Sequence, residues 1–121
     1  RLVTGVVTFL DTISNWALQH LPQLSGKPYT EFKEDDDSVT RLFPSWIKLE
    51  KLKWHMDDEN RIIRPLHKTD WLFQLEDQLP VPLDGPIFIK RHQWHRLIKG
   101  TGSLTLKITK NARTQTNKTR S

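Results

Sequence analysis

Five histidines, at positions 20, 55, 67, 92 and 95, are the side chains of this sequence best suited to chemistry. Neutral imidazole is a common metal ligand, and its proton exchange near neutral pH suits acid–base work. His92 and His95 stand three apart. On a helix they would share a face, but on a strand they point to opposite faces, so this pair alone does not make a zinc site in an extended segment. His55, His67 and His95 are then the candidate ligands of a one-metal, three-histidine site. His67 near Asp70 has the composition of a base and its orienting carboxylate, yet no serine or threonine nucleophile can be named beside it. The sequence contains no H-x-H spacing, no phosphate-binding glycine loop and no G-x-S-x-G elbow. The expectation is that no metal is favoured, with no catalytic residue assigned.

A second kind of chemistry lies in residues 89–99. Lys90, Arg91, Arg96 and Lys99 surround Trp94 with no acid among them. Cations interleaved with an aromatic ring suit a single-stranded nucleic acid, with phosphates on the cations and a base on the ring. An ordinary strand whose long cationic side chains reach outward accounts for the same residues. The formal charge of +5 sits largely in the C-terminal residues. Lys110, Arg113, Lys118 and Arg120 have no acidic neighbour among residues 110–121, which leaves the body nearly neutral. Such a tail can make weak, salt-sensitive contacts with nucleic acid or simply be solvated.

The elements that must position these residues follow from periodicity. Val6, Phe9, Leu10, Ile13, Trp16, Ala17 and Leu21 recur at spacings of three and four and predict a helix over residues 6–21, ended by Pro22. Residues 25–40 read as a connector, with turn chemistry at Ser25-Gly26-Lys27-Pro28 and an acidic run of Glu31, Glu34, Asp35, Asp36 and Asp37 that lacks calcium-loop spacing. From Leu42 onward short alternating runs predict strands centred near 48, 54, 63, 73, 88, 96 and 106, with a bulge near Glu50-Lys51. The clearest is Leu104, Leu106 and Ile108 on one face against Thr105, Lys107 and Thr109 on the other. At 121 residues, 36% hydrophobic and 27% charged, the chain is one globular domain. Its expected division is a helical region at 1–24, an acidic connector at 25–40, a β-rich body at 41–109 and a basic tail at 110–121. Absent cysteine excludes disulfides, thiolate metal sites and cysteine nucleophiles. Together with the absence of a leader pattern, it gives the expectation of a cytoplasmic protein.

Residues 66–109 carry a resemblance. Trp71-Leu72-Phe73-Gln74-Leu75-Glu76-Asp77, an Asp84-Gly85 turn, Pro86-Ile87-Phe88-Ile89, then Trp94-His95-Arg96-Leu97, a Gly100-Thr101-Gly102 turn and Leu104-Thr105-Leu106-Lys107-Ile108 resemble the second half of a small cupin. The order is most similar to the compact domain that precedes the methyltransferase in some tellurite-resistance proteins. Of the second cupin motif only the histidine, His95, is kept; Lys90, His92 and Lys99 replace its proline, glycine and asparagine. The first motif's H-x-H is missing. The resemblance therefore implies a fold without implying a metal-dependent reaction. His55-Met56-Asp57-Asp58-Glu59-Asn60 resembles the turn of HNH nucleases only shallowly, since the paired histidine is missing.

The fold class expected is α+β and mainly β, an N-terminal helix followed by an antiparallel cupin-like β-roll or small barrel. The function expected is binding of a small-molecule ligand in the barrel mouth, lined by Trp54, Trp71, Phe73, Trp94 and His95. A nucleic-acid-binding protein using Lys90, Arg91, Trp94, Arg96 and Lys99 is the competing reading, and a structural subunit docking through helix 6–21 is a third. No membrane contact is expected, and a homodimer is left open.

Overall fold

The computed structural model describes residues 26–112. Eight strands follow one another: β1 Thr30–Lys33, β2 Ser38–Phe43, β3 Arg61–Pro65, β4 Leu72–Leu75, β5 Val81–Pro82, β6 Ile87–Ile89, β7 His95–Ile98 and β8 Leu104–Lys110. They form a five-stranded sheet in the order β1-β2-β8-β3-β6 and a three-stranded sheet in the order β5-β4-β7. Every pairing is antiparallel.

The α+β class is corrected by this architecture. Among the described residues the sole helical feature is a 3-10 turn at Leu49–Lys51, so the class there is β. The helix expected over residues 6–21 lies outside the described residues. Two strands form where the sequence reads as a connector. The acidic residues are the turn of a hairpin: the N–H groups of Glu34 and Asp35 donate to the Ser38 carbonyl, and Asp35 Oδ1 accepts from the N–H of Asp37. Short carboxylate side chains that bond the local backbone favour such turns. The strands expected near 48 and 54 do not form. The change of phase attributed to a bulge is the 3-10 turn, closed by Lys51 N–H on Lys48 O at 3.0 Å and Leu52 N–H on Leu49 O at 3.0 Å.

The inner face is set by period-two alternation. In β8, Leu104, Leu106 and Ile108 are buried while the residues between them are half-exposed. Register then places Phe43 opposite Leu104, Arg41 opposite Leu106, and Val39 and Ile63 both opposite Ile108. The apolar side chains of these pairs meet Phe73 of β4 and Trp71, just before it, in one core that also takes Ile47, Leu83 and Ile89. Burying a side chain such as Phe73 contributes about 1.5–3 kcal/mol. The Trp71 indole keeps its polar edge satisfied by donating to Gly102 O at 3.1 Å. No helix of the described residues is long and apolar enough to cross a membrane.

Candidate functional site

A cavity of about 410 Å³ opens from this core, lined by residues of β2, β3, β4, β6, β7 and β8, by Pro28 and Tyr29 before β1, and by the segment 51–57. Phe43, Ile63, Phe73, Ile89, Leu97, Leu106 and Ile108 form its apolar wall. Its polar part rests on one isolated bridge. His55 N–H donates to His95 O at 3.0 Å, and His95 N–H donates to His55 O at 2.9 Å. Residues paired directly across such a bridge send their side chains to the same face. The two imidazole centroids are 4.2 Å apart as a result, and Phe73 lies 5.8 Å from His95 on the other side.

Asp57 joins them. Its backbone carbonyl accepts from His92 N–H at 2.8 Å, and Asn60 Oδ1 accepts from Arg91 N–H at 2.8 Å. These two bonds staple the loop after His55 to the turn before β7. His92 occupies the left-handed region at φ 65° within that turn, a conformation that histidine adopts more readily than most residues. One ligand-type atom from each of His55, Asp57 and His95 then lies within 4.8 Å of the others.

The protonation pattern is set by neighbouring carbonyls. His55 Nδ1 contacts Lys53 O at 3.1 Å and His95 Nδ1 contacts Gln93 O at 2.8 Å. A carbonyl only accepts, so each Nδ1 carries the proton, and the neutral form of each ring has its lone pair on Nε2. His95 Nε2 stands 3.3 Å from Asp57 Oδ2, within ion-pair range but not aligned as a hydrogen bond, and that oxygen is buried with no hydrogen-bond partner among the described residues. Asp57 Oδ1 meets Arg61 Nη1 at 3.2 Å, and Arg61 Nε donates to Glu59 at 2.6 Å. Burial opposes the charge of Asp57. The contact with His95 and the charges of Arg61, His95 and His55 outweigh that opposition and hold its carboxyl below the ordinary value. Burial pushes the His55 imidazole below its ordinary value; the Lys53 carbonyl and the Asp57 charge oppose this, and the charges of His95 and Arg41 add to it.

The sequence candidates separate in space. Phe73 and His95 line the cavity. Trp71 is fully buried in the core and is not part of the lining. Trp54 and Trp94 are exposed on the opposite face of the bridge, with Arg96 stacked 4.7 Å over Trp54. His67 lies apart, accepting from Thr105 N–H at 2.9 Å through Nε2, so the set of His55, His67 and His95 does not converge. Of the cations proposed for nucleic acid, Lys90 and Arg91 are exposed, Arg96 Nε donates to Gln74, and Lys99 Nζ donates to Ile47 O. Asp57 stands outside the sequence candidates because no H-x-H spacing marks it. The signal that finds it is the same spacing with a carboxylate in the second place, His55-x-Asp57.

Sequence comparison finds no matching family model and no matching curated protein. Solved structures do match in shape. The DMSP lyase DddQ from Ruegeria pomeroyi DSS-3 aligns with a TM-score of 0.55 at 13% identity, over 70% of this chain and 47% of that one. A structure from a study of the DMSP lyases RdDddP and RnDddQII aligns with a TM-score of 0.53 at 12% identity, over 62% and 37%. The cupin domain of Schizosaccharomyces pombe Cnp3 gives 0.52 at 15%, over 76% and 69%. The aligned part is less than half of either lyase chain. These likenesses show a cupin-like β fold; none of the three is a tellurite-resistance domain.

Proposed function

We propose that this cupin-like domain binds a small molecule in the cavity beside a divalent transition-metal ion held by His55, Asp57 and His95. The observation that carries this reading is Asp57 Oδ2, a buried anionic acceptor that faces a second acceptor, His95 Nε2, at 3.3 Å. At that separation the lone pair of a neutral His95 Nε2 and the carboxylate charge repel unless a cation lies between them or a proton is taken up. Two histidines and one carboxylate are the ligand set that leaves coordination positions open to a substrate. Imidazole nitrogens favour a transition metal over magnesium or calcium. The carbonyls of Lys53 and Gln93 act as outer partners that orient each ring.

Arg61 limits the site. Its guanidinium occupies Oδ1, so Asp57 ligates through Oδ2 alone, and its positive charge weakens cation binding. Whether the ion serves catalysis or only anchors a ligand depends on the substrate. When bound, it supplies Lewis acidity at the cavity wall. The chain's own contribution is the apolar wall that surrounds a ligand and excludes water from it.

Titration of chelator-treated protein with cobalt(II) or zinc tests the reading. One ion per chain is expected. His95→Ala lowers the affinity at least tenfold, since loss of even an outer partner of a ligand costs about 10–100-fold, and His67→Ala leaves it unchanged. Absence of saturable binding, or equal loss in both variants, overturns it.

A further inference from the structure

Resting on that reading of the cavity as a small-molecule site, we infer that its ligand is a small organic anion with an apolar body, and that Arg41 anchors the anionic end. Arg41 belongs to the inward-facing row of β2, between the buried Val39 and Phe43 and opposite Leu106. Apolar side chains fill the neighbouring places in that row. A guanidinium there is costly unless it has partners, and the structure supplies two: the Tyr29 ring 4.1 Å beneath it and Glu31 across the strand pair at Nε. Glu31 takes one edge of the group and does not line the cavity. A guanidinium presents five N–H donors in a planar fork, so the Nη end can receive a carboxylate or phosphate.

The rest of the lining agrees. Arg41, Lys51, Lys53 and Arg61 line the cavity; Asp57 and Glu59 face Arg61, Glu31 takes one edge of Arg41, and Lys51 and Lys53 add exposed positive charge at the rim. Low-dielectric walls focus that positive field into the mouth and favour anions over neutral or cationic solutes. Behind the cationic rim the wall of Phe73, Leu97, Ile63 and Ile108 offers nothing polar, so the body of the ligand is hydrocarbon or aromatic. A cavity of about 410 Å³ falls within the range of small-molecule sites.

The test is calorimetric titration of the full chain, with and without zinc, using acetate, butanoate and hexanoate, their primary amides, and the matching alkyl phosphates. Hexanoate or hexyl phosphate is expected to bind at least tenfold tighter than hexanamide, with roughly fourfold tighter binding for each added methylene. Whichever of the two anions binds tighter names the headgroup. Arg41→Gln is expected to bring anion and amide to equal affinity while keeping the dependence on chain length, and Arg41→Lys to restore part of the preference. Lys53→Gln, at an exposed rim position, gives a second and smaller loss of preference if Arg41→Gln does not fold. Amides binding as tightly as the anions would overturn the anion inference and leave the small-molecule reading standing. No binding by any compound would overturn both. A preference unchanged in folded Arg41→Gln, whatever Lys53→Gln does, would remove Arg41 as the anchor.

Discussion

Asp57 decides the chemistry of the cavity, and its role can be separated from ordinary ion pairing. If the carboxylate serves chiefly to complete a cation site, losing its charge costs the metal-free protein only the modest stabilisation that goes with its lowered carboxyl. Asp57→Asn keeps an oxygen for Arg61 and places an amide N–H₂ opposite the free lone pair of His95 Nε2. We therefore expect metal-free Asp57→Asn to unfold within about 1 kcal/mol of wild type while losing metal binding, measured by urea denaturation and cobalt titration. A loss of about 3 kcal/mol or more would show instead that Asp57 and His95 form a structural ion pair. His95 was accessible to sequence reasoning because it survives from a recognisable motif. Asp57 was not, because a carboxylate two places after a histidine in an acidic turn looks like every other turn acid until the fold shows which oxygen is buried.

The elements show why some strands are legible and others are not. β8 announces itself through Leu104, Leu106 and Ile108 because all three face one core. β2 is obscured because its inward row is Val39, Arg41 and Phe43, with a charge in the middle position. The segment at 55 is invisible to periodicity, since a single bridge to His95 has no repeat at all. The loop joining β7 to β8 shows the same dependence on distant partners. Asp70 caps it, with Oδ1 accepting from Thr101 N–H at 2.8 Å and Oδ2 from Thr101 Oγ1 at 2.9 Å. Gly100 is required there, because a Cβ would press on Asp70 and come 2.7 Å from Trp71 N. The Thr101 backbone N–H and then its hydroxyl hold the Asp70 carboxyl below its ordinary value. A carboxyl depressed in the folded state stabilises fully above its unfolded value of about 3.9, and that stabilisation is lost as pH falls through the lower folded value. Thermal scans from about pH 5 to pH 2.5 should therefore show a shallower loss for Asp70→Asn than for wild type. Equal slopes would mean that the cap contributes nothing.

At the scale of the whole molecule, the likeness to cupins was legible in residues 66–109, where the strands succeed one another along the chain. The other half of the large sheet was not, because its closure is non-local: Phe43 pairs with Leu104 and Ile63 with Ile108, and periodicity reports which face is buried but not against what. Closing that sheet against β4 and β7 creates the cavity and brings His55, Asp57 and His95 to one place, 40 residues apart along the chain at the extremes. The fold thus converts three scattered polar residues into a set with a common centre. An anomalous difference map from crystals grown with zinc or cobalt addresses that centre directly. We predict one strong peak per chain within about 2.3 Å of a ring nitrogen of His55, His95 Nε2 and Asp57 Oδ2. A saturated crystal with its ion bound elsewhere, or with His95 and Asp57 joined directly through a proton and no peak between them, would contradict the account.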